Sequence, residues 1–249
     1  MQFDTTTIIV AVALLIAAFT KGTTGFGFPL IATPMVTLLL DIRTAVTILL
    51  IPNILMDITQ VFRGAFPTAT ARRFGWLLLC TVIGVFLGTK ALVTLPLWIL
   101  NLTLGISVLA FVVFSLFRMD YQIPPRRETI FSPVVGFVGG FLNGMTNAAG
   151  PVLAAYLYSL NFPKTEFVKG IATIFLVTKI AQLIAVSSWN LFTPEALRLS
   201  LVVTLFILAG FYAGLKAQDH VNQQTFNRGL LALLFVIGVV LVVRALTSS

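Results

Sequence analysis

The chain has 249 residues, 58% of them hydrophobic and only 10% charged, against roughly 25% charged in an average soluble domain. Such a composition excludes an ordinary water-soluble enzyme, and uncharged stretches such as Ala91 to Phe117 and Thr129 to Pro163 suit a bilayer. The formal charge of +8 does not point to nucleic acid, because the basic residues are scattered through short connectors and form no basic face interleaved with aromatics.

Residues 7–20 form the first apolar run. Asp4 stands where a signal peptide would carry Lys or Arg, so this run is expected to remain in the mature protein. The run ends in Lys21-Gly22-Thr23-Thr24-Gly25-Phe26-Gly27-Phe28-Pro29, and a second apolar run follows to Leu40. Each run has about 14 residues and would cover roughly 21 Å as a helix, short of a hydrocarbon core of about 30 Å. The spacing therefore predicts a re-entrant, broken-helix hairpin over 7–40. Crossing helices are predicted at 43–61, 74–91 and 98–117, each near the ~20 residues that a span needs. A second hairpin is predicted over 132–160 around Asn143-Gly144-Met145-Thr146-Asn147-Ala148-Ala149-Gly150-Pro151, followed by crossings at 166–189, 195–216 and 226–245. The single Cys80 lies inside an apolar run, which excludes disulfide frameworks and thiolate metal clusters.

The two breaks align at an offset of 122, which matches Gly22 with Gly144, Thr24 with Thr146 and Pro29 with Pro151. At an offset of 126, residues 84–91 lie over 210–217 and share two glycines, a lysine and an alanine. The chain thus reads as two units, 1–120 and 121–249, each a hairpin plus three crossings. An odd number of crossings makes the second unit enter from the opposite side, an inverted-topology repeat typical of secondary transporters. The expected fold is an all-α integral membrane protein. One side collects Arg63, Arg72, Arg73, Arg118, Arg126, Arg127, Lys164, Lys169, Lys216 and Arg228, the other only Arg43, Lys90, Arg198 and Arg244. The positive-inside rule makes the first side cytoplasmic and puts both termini outside.

The glycine-rich break Lys21 to Pro29, its counterpart Asn143 to Pro151 and the two-unit layout together resemble the TauE/SafE family, also called the sulfite exporter or TSUP family. The resemblance covers nearly the full chain. It implies a transporter in the bacterial cytoplasmic membrane that exports or imports sulfite, sulfonates or related organic anions.

Broken helices inside a membrane leave backbone groups that are tolerated only within protein or against a water-filled cavity. The second half of each hairpin presents a helix N-terminus, where free N–H groups and the dipole favour an anion. Gly22, Thr23, Thr24 and Gly25 in the first break, with Asn143, Gly144, Thr146 and Asn147 in the second, are the candidate substrate-binding residues. The glycines would allow close approach, while Thr24 and Thr146 would donate from their hydroxyls and Gly25 and Asn147 from their amides. Lys21 and mid-helix Lys179 are candidate counter-charges, since ionisable groups at such depth are functional or paired. Asn53, Asp57 and Gln60 form one polar stripe, and Lys179 and Gln182 a shorter one. Asp57 is a candidate coupling site or a partner for Lys179, unless it is simply solvated near a helix end. The glycine pairs 84/88 and 210/214 are expected to let helices pack closely, Lys90 and Lys216 to act as surface anchors, and His220 to be solvated.

No enzyme is expected, because one histidine cannot build a His-based catalytic site, and no cofactor or metal is expected either. The expected partners are a small anion and the lipid bilayer, with a homodimer left open. A passive anion channel and a carrier of small carboxylates are the alternatives.

Overall fold

The computed structural model describes residues 5–63, 73–117, 122–218 and 223–247. Asp4, Arg72, Arg118 and His220 lie outside these residues, as do the side chains of Arg126, Lys164 and Arg228. All regular structure among the described residues is helical: α1 (Thr5–Thr24), α2 (Phe28–Thr37), α3 (Ile42–Ile48), α4 (Leu50–Val61), α5 (Gly75–Thr94), α6 (Leu97–Phe117), α7 (Pro125–Thr146), α8 (Gly150–Ser159), α9 (Lys164–Ser188), α10 (Pro194–Ala217) and α11 (Gln223–Thr247). By length and apolarity, 7 stretches of the described residues can cross a membrane. Six of them are the expected crossings.

The seventh is Arg127–Thr146, the long arm of the second hairpin. Both hairpins are therefore less symmetric than two runs of about 14 residues. α1 has 20 residues and α7 has 22, whereas the returning arms α2 and α8 have 10 each, about 15 Å of helix. Polar residues before each break continue the helix, so the apolar run alone underestimates it. In the second hairpin the chain still folds back to where it began. The Ile123 amide donates to the Ser159 carbonyl at 3.0 Å, and the hydroxyls of Ser132 and Tyr156 share a hydrogen bond of 2.6 Å.

The crossing expected at 43–61 is broken between α3 and α4. Pro52 has no N–H for the Ile48 carbonyl one turn back. The Ser200 hydroxyl of α10 donates to that carbonyl instead, at 2.7 Å. Asp41 caps α3 by accepting from the amides of Arg43 and Thr44. Arg43 in turn spreads its guanidinium over the carbonyls of Leu92, Val93 and Leu95, closing the C-terminus of α5 at 2.9 to 3.1 Å.

The most extensive packing joins the two halves of the chain, α7 against α5, α1 against α10 and α11 against α6. Glycine makes the first two contacts possible. A Cβ at Gly84 or Gly88 of α5 would run into the carbonyls of Phe137 or Phe141 of α7, and one at Gly144 into that of Val85. The same pattern holds on the other side, where Gly22 abuts Phe211 and Gly214 abuts the carbonyl of Phe19. The packing expected for the pairs 84/88 and 210/214 is present, and Gly22 and Gly144 belong to it. In apolar surroundings such approach gives dispersion contacts that a larger residue forbids. Residues on the outer faces, Leu205, Phe206 and Trp76 among them, are large, apolar and exposed, as lipid contact requires.

Candidate functional site

α1 and α7 both end by placing a residue in the left-handed region, Gly25 at φ 89° and Asn147 at φ 62°. These positions match at the offset of 122, and glycine and asparagine are the residues that tolerate that conformation. The Gly25 amide donates to the Lys21 carbonyl at 2.8 Å and the Asn147 amide to the Asn143 carbonyl at 2.9 Å. Both amides, expected as anion donors, thus close the helix that precedes them. The threonine hydroxyls are also committed to backbone: Thr24 donates to the carbonyl of Thr20 or of Phe26 at 2.8 and 2.9 Å, Thr23 to Thr20 at 3.0 Å, and Thr146 to Leu142 at 3.0 Å. Gly22 and Gly144 face neighbouring helix backbones. Helix closure and packing are the roles that geometry gives these residues.

The turns are followed by α2 and α8, each with a proline in its first two positions, Pro29 and Pro151. Proline costs little there, because the first N–H groups of a helix have no intrahelical partner. Phe26 fixes the first turn by packing edge-on against Phe111 of α6 and Phe167 of α9, with ring centroids at 6.2 and 5.9 Å.

Around these turns lies a buried polar lattice. Lys21 is fully buried, and its ammonium meets the Asp57 carboxylate at 2.6 Å and the Asn53 side-chain oxygen at 2.7 Å. Gln60 donates from Nε2 to the Lys21 carbonyl at 3.0 Å. In the second half, fully buried Lys179 donates to Asn147 Oδ1 at 2.6 Å and to Gln182 Oε1 at 2.8 Å. Gln182 donates to the Asn143 carbonyl at 2.9 Å, and the Asn143 side-chain amide returns a bond to Gln182 Oε1 at 3.0 Å. The pairs 21/143, 25/147, 57/179 and 60/182 all share the offset of 122. Each glutamine holds the carbonyl at the matching position of its own hairpin.

The structure thus brings Lys21, Asn53, Asp57, Asn143, Asn147, Lys179 and Gln182 into two adjoining polar clusters. Asp57 pairs with Lys21, not with Lys179, and it is 0% exposed, so the reading of a solvated acid is also corrected. The reason is packing: α4 lies against α9 and α10 and turns its polar stripe to Lys21 of α1, which a count of residues from the helix end does not reveal. Lys90 and Lys216, by contrast, are exposed. Gln60, a member of the predicted stripe, shares with Gln182 the role of holding a hairpin carbonyl, and the offset of 122 between them is the sequence signal for it.

Charge distinguishes the clusters. The Lys21 ammonium is compensated by Asp57. Lys179 has only neutral oxygens as direct partners, and among the described residues no carboxylate forms an ion pair with it. Each ammonium carries three N–H donors, of which two are used at each lysine, leaving one free. A buried unpaired charge costs several kcal/mol, and with Lys21, Asp57 and Lys179 all ionised the lattice would hold one positive group more than negative ones. Asp57 is also within electrostatic reach of Lys179. Further polar atoms here have no hydrogen-bond partner, among them Asn53 Nδ2, Asp57 Oδ2 and Asn143 Oδ1. The free N–H groups of the two lysines and of Asn53 can donate to a small anion with oxygen acceptors, whereas the orphaned Asp57 and Asn143 oxygens are acceptors and cannot.

The family model described as "Sulfite exporter TauE/SafE" matches residues 9–241, nearly the whole chain. No curated protein and no solved structure matches it.

Proposed function

The chain belongs to the sulfite exporter TauE/SafE family and is a multi-pass membrane transporter, and from that premise we propose that it is a secondary carrier of a small sulfur oxyanion or organosulfonate. The observation that carries this reading is the buried Lys179 ammonium, held by Asn147 and Gln182 without a carboxylate partner. A charge of that kind is retained where a ligand supplies its complement. Lys21, Asn53 and Asp57 form the opposite wall of the same site, and the paired turns set both walls in place.

Contacts that recur at the offsets of 122 and 126 support a duplicated unit whose halves enter the bilayer from opposite sides. Alternating access is then motion of one half against the other around the buried lattice. The protein resides in the bacterial cytoplasmic membrane with both termini outside the cytoplasm, following the bias of basic residues. In a Cys80→Ser background, impermeant reagent on intact cells labels a cysteine at exposed Thr94 and spares one at exposed Arg127. The opposite pattern reverses the orientation.

Calorimetry on purified protein with sulfite, thiosulfate, methanesulfonate and small carboxylates tests the substrate class. Binding of a sulfur anion that is lost in Lys179→Gln is the expected result, and unchanged affinity in a folded Lys179→Gln protein removes the site from this position. Saturable counterflow in proteoliposomes marks a carrier, whereas flux without saturation marks a channel.

A further inference from the structure

The matching positions 57 and 179 hold opposite charges, Asp57 and Lys179, and the matching positions 21 and 143 hold a lysine and an asparagine. A site made only to attract anions would gain from two free lysines. Here one of the two is neutralised by a buried carboxylate that also lies within electrostatic reach of the other. We propose that Asp57 is the charge-selecting residue of the site: by holding the Lys21–Asp57–Lys179 cluster at one net positive charge, it admits singly charged oxyanions such as sulfonates or hydrogensulfite and rejects doubly charged ones of the same size. This inference rests on the anion site placed at Lys179 under the proposed function.

The physical basis is additive. In a buried site of low effective dielectric, charges a few ångströms apart interact by kilocalories per mole. A dianion meets twice the attraction from Lys179, while its attraction to Lys21 and its repulsion from Asp57 largely cancel, and its hydration cost rises with the square of its charge. With Lys21 offset by Asp57, the second charge of a dianion has no counterpart in the protein. None of Asn53, Asn147 and Gln182, the amides bound to the two ammoniums, brings a compensating charge.

Methanesulfonate and sulfate share a tetrahedral sulfur with three matching oxygens and differ in charge, so their affinity ratio reads the selection directly. The wild-type protein binds methanesulfonate more tightly. Asp57→Asn frees the charge of Lys21 and shifts the ratio toward sulfate by about tenfold or more. Lys21→Gln/Asp57→Asn removes the pair together, restores one net charge and returns the ratio to within about threefold of wild type. A folded Asp57→Asn protein with an unmoved ratio overturns the proposal. Should Asp57→Asn not fold, the double variant decides alone: a ratio near wild type supports the charge count, and a shift toward sulfate overturns it. Lys179→Gln separates the two levels of inference. If it abolishes binding of both anions while Asp57→Asn leaves their ratio unmoved, charge selection fails and the site stands; if it leaves both affinities intact, the site itself is misplaced.

Discussion

The two hairpin turns are built alike and charged differently. Each ends its long arm with a left-handed residue, closes that arm with an amide four residues on, and has its carbonyl held by a glutamine from a crossing helix. The first turn sits beside a compensated lysine and carries glycine at position 25. The second sits beside an uncompensated lysine and carries asparagine at position 147, whose side chain that lysine requires. The two turns thus share a backbone geometry and differ in the charge beside them. Backbone closure tolerates few residue types, whereas the polar lattice around it admits many solutions.

The strongest way to break this comparison attacks what the turns share. Gly22→Leu and Gly144→Leu each push a side chain into helix backbone that cannot move aside. Both are expected to leave no folded, monodisperse protein in detergent, while Gly75→Ala, at a position open on all sides, leaves the melting temperature within a degree or two. A well-folded Gly144→Leu protein would show that the α5–α7 contact is looser than its geometry.

The lysines provide the next contrast. Lys21→Gln strands the buried Asp57 carboxylate and should destabilise the protein by about 3–5 kcal/mol, with much of the loss recovered in Lys21→Gln/Asp57→Asn. Lys179→Gln strands no charge, so the ligand-free protein should be equally or more stable while anion binding is lost. Thermal or denaturant unfolding in detergent, with and without anion, distinguishes these outcomes. Equal destabilisation by both would mean that the two clusters are not electrostatically distinct.

At the left-handed positions the effects are smaller and differ in kind. Gly25→Ala places a Cβ in a disfavoured conformation, about 1–2 kcal/mol, and against Val168 at 2.9 Å. Asn147→Gly keeps the conformation but removes a hydrogen bond to a charged group, about 1.5–3 kcal/mol. It should weaken anion binding as well, because Lys179 loses an anchor, whereas Gly25→Ala should act on stability alone. Smallest of all is Gln60→Leu, about 0.5–1.5 kcal/mol for one neutral hydrogen bond. Gln182→Leu should cost more, since Gln182 also accepts from the Lys179 ammonium. Melting temperatures measured side by side rank the four variants.

Much of this protein is determined by its sequence. Apolar runs near 20 residues specify helices that cross a bilayer, because a membrane demands internally bonded backbone over a fixed thickness. The two Gly/Thr/Asn breaks mark the turns, because few residues accept a left-handed backbone. Family membership follows from the same features, spread over most of the chain. The partner of each buried charge is a different matter. Lys21 and Asp57 are 36 positions apart, and Asn147 and Lys179 are 32 apart. Nothing local distinguishes a Lys21–Asp57 pair from an Asp57–Lys179 pair. That choice depends on how α1, α4 and α9 lie against one another, with α4 packed on α9 and α10 and α1 held to α10 by close glycine contacts. The hydroxyls and amides at the turns followed the same rule: sequence supplied the donors, and only the folded backbone showed that nearby carbonyls had already taken them.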